Sequence, residues 1–226
     1  MKQIAVIIYG PPGSGKGTQA SLLASRLGLI HFDTGAYLEN VFNDPDNKKD
    51  KKIQEQKKLF DTGFLVDPAW ALSIVKKRTE QIFKAGFSIV YSGSPRTLFE
   101  TYGGDGVEGL IPFLEKTFNQ KNIFVFSLDV KASDSLKRNS SRLLSPLTGL
   151  PIMGTKVKLT SCPFTGSPLK KRTLDAPEVI KKRLVEYMNR TKPIENTLKK
   201  NGYKIFKIDG RPLPYKVHES ILKRIK

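Results

Sequence analysis

Gly10-Pro11-Pro12-Gly13-Ser14-Gly15-Lys16-Gly17-Thr18-Gln19 is the stretch on which the reading of this chain turns. Just before it, Ile4 to Tyr9 is an unbroken apolar run of strand length; just after it, Ala20, Leu22, Leu23, Ala24 and Leu27 recur at helical spacing. The order is strand, glycine-rich turn, helix. An anionic phosphate tail is held at least cost by backbone N–H groups that already point outward from a tight turn and a helix N-terminus. Gly10, Gly13, Gly15 and Gly17 give that turn its permissive backbone, Ser14 lies within it, and Lys16 supplies a mobile positive charge for terminal phosphates. Thr18 opens the helix. Loops of this kind usually place Ser or Thr directly after the Lys to ligate magnesium; here Gly17 stands there and Thr18 follows one later.

Outward from the loop, further short apolar runs lie at Leu29 to Phe32, Phe87 to Tyr91, Ile123 to Leu128 and Tyr203 to Ile208, with longer helical patterns between them. Strands alternating with helices predict an α/β fold, a parallel sheet covered on both faces. Two stretches interrupt the alternation. Residues 38–75 are Lys-rich and helical in pattern, with a turn at Gly63-Phe64-Leu65-Val66. Residues 143–174 are rich in Gly, Pro, Ser and Thr and contain two similar turn pieces, Ser145-Pro146-Leu147-Thr148-Gly149 and Pro163-Phe164-Thr165-Gly166-Ser167; they read as a small β-rich flap of the kind that forms lids. Gly103-Gly104-Asp105-Gly106 reads as a flexible loop.

The 226 residues, 38% of them hydrophobic, suffice for one well-buried domain spanning residues 1–226. Cys162 is the only cysteine, which excludes an internal disulfide and a Cys-rich zinc site and fits a reducing compartment. The apolar run at the N-terminus is too short for a signal peptide and no run approaches membrane-spanning length, so a soluble cytoplasmic protein without membrane association is expected. The net charge of +18 predicts attraction to polyanions. Nucleotides and nucleic acid are both candidates on charge alone; the Lys48 to Lys52 run and Lys57-Lys58 read as a solvated face, and nucleic acid is not favoured.

Gly10 to Gln19 resembles the phosphate loop of adenylate kinases and related nucleoside monophosphate kinases, in which Lys-Gly-Thr-Gln replaces Lys-Ser/Thr. Further matches follow in family order: Asp33-Thr34-Gly35, Gly63-Phe64-Leu65-Val66, and Gly93-Ser94-Pro95-Arg96-Thr97. Arg138 and Arg142, then Arg172, then Arg183 within Lys182-Arg183-Leu184-Val185-Glu186-Tyr187, look like the family's lid arginines. The resemblance implies a five-stranded parallel sheet of the P-loop NTPase type, a helical monophosphate-binding insertion at residues 38–75 and a lid at residues 143–174. It implies reversible transfer of the ATP γ-phosphoryl group to a nucleoside monophosphate, AMP first, using Mg2+ with no direct protein ligand; a monomer is expected, and the lone Cys162 predicts a lid without the zinc that some relatives carry. Gly10, Gly13, Ser14, Gly15, Lys16, Gly17, Thr18 and Arg138 would bind ATP. Thr34, Gly35, Glu39, Val66, Gly93, Arg96 and Glu100 would bind the monophosphate. Lys16, Arg96, Arg138, Arg142, Arg172 and Arg183 would carry catalysis, because planar, permanently charged guanidinium groups neutralise the charge that builds on a transferring phosphoryl group.

Two local patterns support those arginines. Arg138 and Arg142 are four apart, so a helix after Asp134 would project both from one face. Asp175-Ala176-Pro177-Glu178 has capping-box spacing with an early Pro, and Ile180, Leu184 and Met188 would form the buried stripe of the helix that carries Arg183.

The acceptor side departs from the family pattern. Glu39 stands where an Arg holds the monophosphate, Ser92 where an Asp orients metal-bound water, and Glu100 where a Gln reads adenine. A carboxylate repels a phosphate unless Lys48 to Lys52 or a shifted neighbour substitutes. Glu100 is either a solvated helix residue or, as an acceptor-only group, a partner for the adjacent donors of guanine. Leu174 stands where many relatives carry an acid, with Asp175 next to it. Two alternatives stay open: a kinase for GMP or a pyrimidine monophosphate, and a nucleotide-binding module with weakened transfer whose basic surface serves other partners.

Overall fold

The computed structural model describes residues 2–149, 151–152, 159–163 and 165–225; Leu150, residues 153–158 and Phe164, which belong to the expected lid, lie outside them. In chain order the elements are β1 (Ala5–Tyr9), α1 (Lys16–Leu27), β2 (Ile30–Phe32), α2 (Thr34–Asn43), α3 (Lys51–Asp61), α4 (Pro68–Lys84), β3 (Ile89–Tyr91), α5 (Leu98–Tyr102), β4 (Gly103–Gly104), β5 (Val107–Glu108) and α6 (Leu110–Phe118). There follow β6 (Ile123–Asp129), α7 (Ala132–Ser141), β7 (Leu143–Leu144), β8 (Pro151–Ile152), α8 (Pro177–Glu186), α9 (Lys192–Lys200), β9 (Ile205–Asp209) and α10 (Pro214–Leu222).

The main sheet has five strands in the order β2-β3-β1-β6-β9, all neighbours parallel. β1 is central, which explains its unbroken apolar sequence. Ala5, Ile7 and Tyr9 pack on one side with Leu72, Val75, Leu114 and Ile194, while Val6 and Ile8 pack on the other with Ala20, Leu23, Val217 and Ile221. A strand buried on both faces needs apolar residues at every position. Helices cover both faces, as the alternation of strands and helices predicts. The chain leaves β1 for the sheet edge at β2 and returns beside β1 at β3, so the strand order reverses at the carboxyl end of β1, where ligands bind in sheets of this type.

The interrupting stretches are ordered by short-range chemistry. Asp33, Asp50 and Asp67 cap α2, α3 and α4 by accepting from the backbone N–H of Ala36, Ile53 and Trp70 at 3.1, 3.0 and 2.7 Å. Leu38, Phe42, Phe60, Val66 and Ala71 form a separate apolar cluster, completed from the far side by Leu174. Lys48, Lys49, Lys51, Lys52 and Lys58 are exposed, as a solvated face should be. Between residues 143 and 174, β7 pairs antiparallel with β8, and bridges join Leu144 to Lys170 and Ser161 to Pro168. The Gly103 to Gly106 segment is a tight hairpin rather than a flexible loop. Asp105 and Gly106 take φ of 50° and 80° at its tip, the backbone a two-residue turn demands, and β4 pairs with β5.

Three local expectations fail for identifiable reasons. α7 ends at Ser141, and Arg142 is extended (φ −70°, ψ 130°), so Arg138 and Arg142 do not share a helix face. Asp175 does not cap α8: its carboxylate is taken by Arg142, and the capping position falls to Ala176, with Pro177 opening the helix. Met188 is 58% exposed because a π-helical turn over Tyr187–Thr191 adds a residue to the repeat, and Tyr187 turns inward in its place.

Candidate active site

The glycine-rich loop leaves the carboxyl end of β1 and is backed by α7. Gly13 has φ of +77°, and a Cβ there would stand 2.5 Å from Asn139 Nδ2 and 2.9 Å from the Ser135 carbonyl, so the turn tolerates no side chain. The Ser135 hydroxyl donates to the Pro12 carbonyl, fixing loop and helix together. Lys16 opens α1 and folds its ammonium back over the loop, donating to the Gly10 and Pro11 carbonyls at 2.7 and 3.0 Å. Burial first, and then the positive charges of Arg96, Arg183 and Arg142, lower its pKa to about 7; Asp33 opposes them.

Beside the loop opens a cleft to which every expected acceptor-side residue except Glu39 contributes. Thr34 and Gly35 come from the start of α2, Val66 from the turn before α4, and Gly93, Arg96 and Glu100 from the segment after β3. Leu38, Phe60, Phe64, Leu65, Ala71 and Ser94 complete its lining. The Thr34 and Ser94 hydroxyls share a hydrogen bond of 2.9 Å across it. Arg96 is fixed at three points: its Nε donates to the Gly93 carbonyl at 2.6 Å, its N–H to Glu100 Oε2 at 3.1 Å, and its carbonyl accepts from the Thr191 hydroxyl at 2.9 Å. Its terminal nitrogens make no hydrogen bond among the described residues.

Four arginines converge between loop and cleft. Arg96, Arg142, Arg172 and Arg183 are coupled through mutual repulsion, and burial followed by its three neighbours brings Arg183 to about 9. Arg183 Nη1 donates to the Leu174 carbonyl at 3.2 Å, and Arg142 grips Asp175 with two nitrogens, one at 2.9 Å from Oδ2. Arg172 donates to Glu39 at 2.7 Å, and its buried Nε has no hydrogen-bond partner among the described residues. Positive charge concentrated in this way, with the buried Arg172 Nε as a free donor among the described residues, suits an anionic group. Arg138 stands apart: it donates to the Gly210 and Arg211 carbonyls at 2.9 and 3.0 Å, holding a loop that abuts Ser14.

A loop that cradles phosphates, a neighbouring cleft with its own anchored arginine, and guanidinium groups between them are the parts of a two-substrate phosphotransferase. The sequence model of the family described as adenylate kinase matches residues 8–203. The chain belongs to the adenylate kinase family. It is 36% identical to an adenylate kinase of Chlamydia pneumoniae, over 83% of this chain and 82% of that one. It is 31% identical to one of Emericella nidulans, over 98% and 82% of the two chains, and 32% identical to one of Vanderwaltozyma polyspora, over 98% and 96%. Membership makes it an ATP-dependent nucleoside monophosphate kinase, binding ATP and a nucleoside monophosphate. No helix among the described residues is long and apolar enough to cross a membrane.

The departures from the family pattern now have surroundings. Glu39 is paired with Arg172 instead of lying open to a phosphate, and Lys48 to Lys52 do not line the cleft. Glu100 is 5% exposed, so it is no solvated helix residue. Its oxygens accept from Arg96 N–H and from the Thr97 hydroxyl at 3.2 Å, and burial raises its pKa. The Ser92 hydroxyl is hydrogen-bonded to His31 Nε2 at 2.8 Å, and His31 Nδ1 to the Ser21 hydroxyl at 3.1 Å. Sequence reasoning passed over Asp33 as a site residue. Its Oδ2 lies 3.9 Å from where a Cβ on Gly17 would stand, and its charge reaches Lys16, His31 and Arg96. The apolar lining of the cleft was also missed, because Phe60 and Ala71 look like any core residues until the fold brings them there.

Proposed function

We propose that this kinase transfers the γ-phosphoryl group of Mg-ATP reversibly to AMP. The observation that carries the reading is the convergence of Arg96, Arg142, Arg172 and Arg183 between the Lys16 loop and the acceptor cleft. AMP as acceptor draws on the relatives, all named adenylate kinases, and the buried Glu100 has a task apart from base reading, since it holds the Arg96 backbone N–H and the Thr97 hydroxyl.

An oxygen of the acceptor phosphate forms a bond to the γ-phosphorus as the bond from that phosphorus to the bridging oxygen breaks, giving ADP and a second diphosphate. No side chain need remove a proton; positioning and charge do the work. Lys16 and the backbone of Gly10, Gly13, Ser14, Gly15, Gly17 and Thr18 hold the donor phosphates, and Arg138 steadies the Gly210–Arg211 segment that abuts the phosphate loop at Ser14. Arg96 holds the acceptor phosphate, with Thr34, Gly35, Val66 and Gly93 around the nucleoside. Arg142, Arg172 and Arg183 bear on the group in flight. Residues 143–174 act as the lid and residues 38–75 as the acceptor-binding insertion, excluding water so that hydrolysis does not compete.

Magnesium fits beside this loop as a partner of the nucleotide. Among the described residues no group of three His, Cys, Asp or Glu could hold a metal by itself, whereas the Asp33 carboxylate offers an oxygen beside Gly17 of the phosphate loop. The ion would supply charge neutralisation on the triphosphate. The deciding experiment is an acceptor panel of AMP, GMP, CMP and UMP with Mg-ATP: AMP should have the highest kcat/KM, and equal or faster use of another base would replace it as the substrate.

A further inference from the structure

Glu39 occupies a position where a negative charge should weaken the binding of a phosphate, yet it lies one residue from Leu38 in the wall of the acceptor cleft. Its Oε2 accepts from Arg172 at 2.7 Å, across 133 residues of chain. The contact has a second point of attachment. Leu174, two residues from Arg172, is 4% exposed within the apolar cluster of Leu38, Phe42, Phe60, Val66 and Ala71. Apolar burial thus clamps the segment 172–174 onto the insertion, and the ion pair fixes the direction of the arginine. Arg172 then bears electrostatically on both Arg96 and Arg183, and its buried Nε points a hydrogen that no group among the described residues accepts.

We infer that Glu39 is a positioning residue: it steers Arg172 into the acceptor-phosphate site, so that Arg96 and Arg172 together grip the monophosphate. One carboxylate oxygen takes one terminal nitrogen of the guanidinium, leaving Nε for a phosphate oxygen, and the fork geometry of arginine allows both at once. The pair is half-exposed, with side chains at 21% and 37%, so its value lies in direction and not in stability. This also accounts for a site that dispenses with an arginine at position 39: the cation arrives from the other side of the cleft. The steering works only once residues 172–174 are docked on the insertion, so acceptor affinity becomes tied to that docking.

The inference rests on the acceptor reading given above, and the two can fail separately. Wild type, Glu39→Gln, Glu39→Ala, Arg172→Ala and the double variant Glu39→Ala/Arg172→Ala are compared for KM of each substrate, kcat, and AMP affinity by calorimetry without ATP, with melting temperature as the check on folding. Glu39→Gln and Glu39→Ala should raise KM and Kd for AMP by about tenfold, the loss expected for one charge-assisted contact to an anion, while KM for ATP changes less than about twofold. In the double variant the loss should match that of Arg172→Ala alone, because Glu39 acts only through Arg172. Tighter AMP binding in Glu39→Ala, which is the outcome if Glu39 withholds Arg172 from the phosphate, overturns the inference; so does simple additivity of the two changes, or an equal effect on both substrates. If wild type transfers to none of the four monophosphates, the functional reading fails, and the calorimetric comparison still decides whether Glu39 steers Arg172 toward AMP.

Discussion

Lys16 sits at the balance point between its two protonation states, and this has a measurable consequence. With a pKa of about 7 in the empty site, its amine is about nine-tenths neutral at pH 8. A triphosphate at hydrogen-bond range favours the charged form, so the pKa rises on binding and a proton is taken up. At pH 8 the terminal phosphate is already fully ionised, its own pKa being near 6, and contributes little. ATP binding measured by calorimetry in buffers of different ionisation enthalpy should therefore show uptake approaching about one proton at pH 8, falling to roughly half near pH 7. Lys16→Arg, charged at every accessible pH, should abolish the uptake; uptake that persists in it would assign the proton elsewhere. Asp33 allows a second test. Asparagine caps a helix as well as aspartate, so Asp33→Asn should leave α2 intact. It should weaken ATP binding about fivefold with magnesium and not at all with a chelator, if its charge serves the metal side of the loop. The sequence made Lys16 legible because the loop, the strand before it and the helix after it all agree. Asp33 was not, because an aspartate before Thr-Gly at the start of a helix reads fully as a cap, and only the fold brings its second oxygen over Gly17.

At the scale of elements, the five sheet strands were readable within one to two residues of their ends, since each is a largely apolar run closed by Gly, Asp or Ser. Phe87 shows the limit: it extends the apolar run, yet it is 48% exposed and the strand begins at Ile89. The lid base was harder. Capping-box spacing at Asp175 and helical spacing from Arg138 to Arg142 are both present, and a contact invisible in either segment overrides both: Arg142 breaks from α7 to meet Asp175 across 33 residues. The π-helical turn that follows α8 is equally silent in sequence, yet it delivers the Thr191 hydroxyl to the Arg96 carbonyl. The Arg142–Asp175 pair is well buried, at 18% and 3% exposure, and such pairs behave asymmetrically on mutation. Asp175→Asn leaves an arginine charge without its partner and should cost about 3 kcal/mol in unfolding free energy. Arg142→Met with Asp175→Leu, an apolar pair of similar size, should cost less than half of that in urea titrations while abolishing efficient transfer. Equal losses in the two would mean that the pair contributes by net attraction, not by satisfying two buried charges.

For the whole molecule, the phosphate loop, the segment after β3, the end of α7, the segment before α8 and α8 itself bring five cationic side chains, Lys16, Arg96, Arg142, Arg172 and Arg183, together in a chain whose net charge is +18. Burial first, and the neighbouring positive charges second, depress the pKa of Lys16 and of Arg183. Anions relieve the repulsion, whether supplied by nucleotides or, less specifically, by dissolved salt that screens it. The sign of the salt effect should consequently differ between states. Raising NaCl from about 0.05 to about 0.5 M shortens the screening length from over 10 Å to under 5 Å, so the melting temperature of the nucleotide-free protein should rise. The same change should weaken ATP binding, because it screens the attraction that draws the triphosphate in. ATP and AMP together should raise the melting temperature by more than the sum of their separate effects, since each removes part of the repulsion that the other must otherwise work against. Differential scanning fluorimetry across a salt series, with each nucleotide alone and with both, reads all three. A nucleotide-free protein that melts lower as salt is added would show that the surface ion pairs outweigh the buried repulsion, and the stored charge of the site would then have no claim to drive its closure.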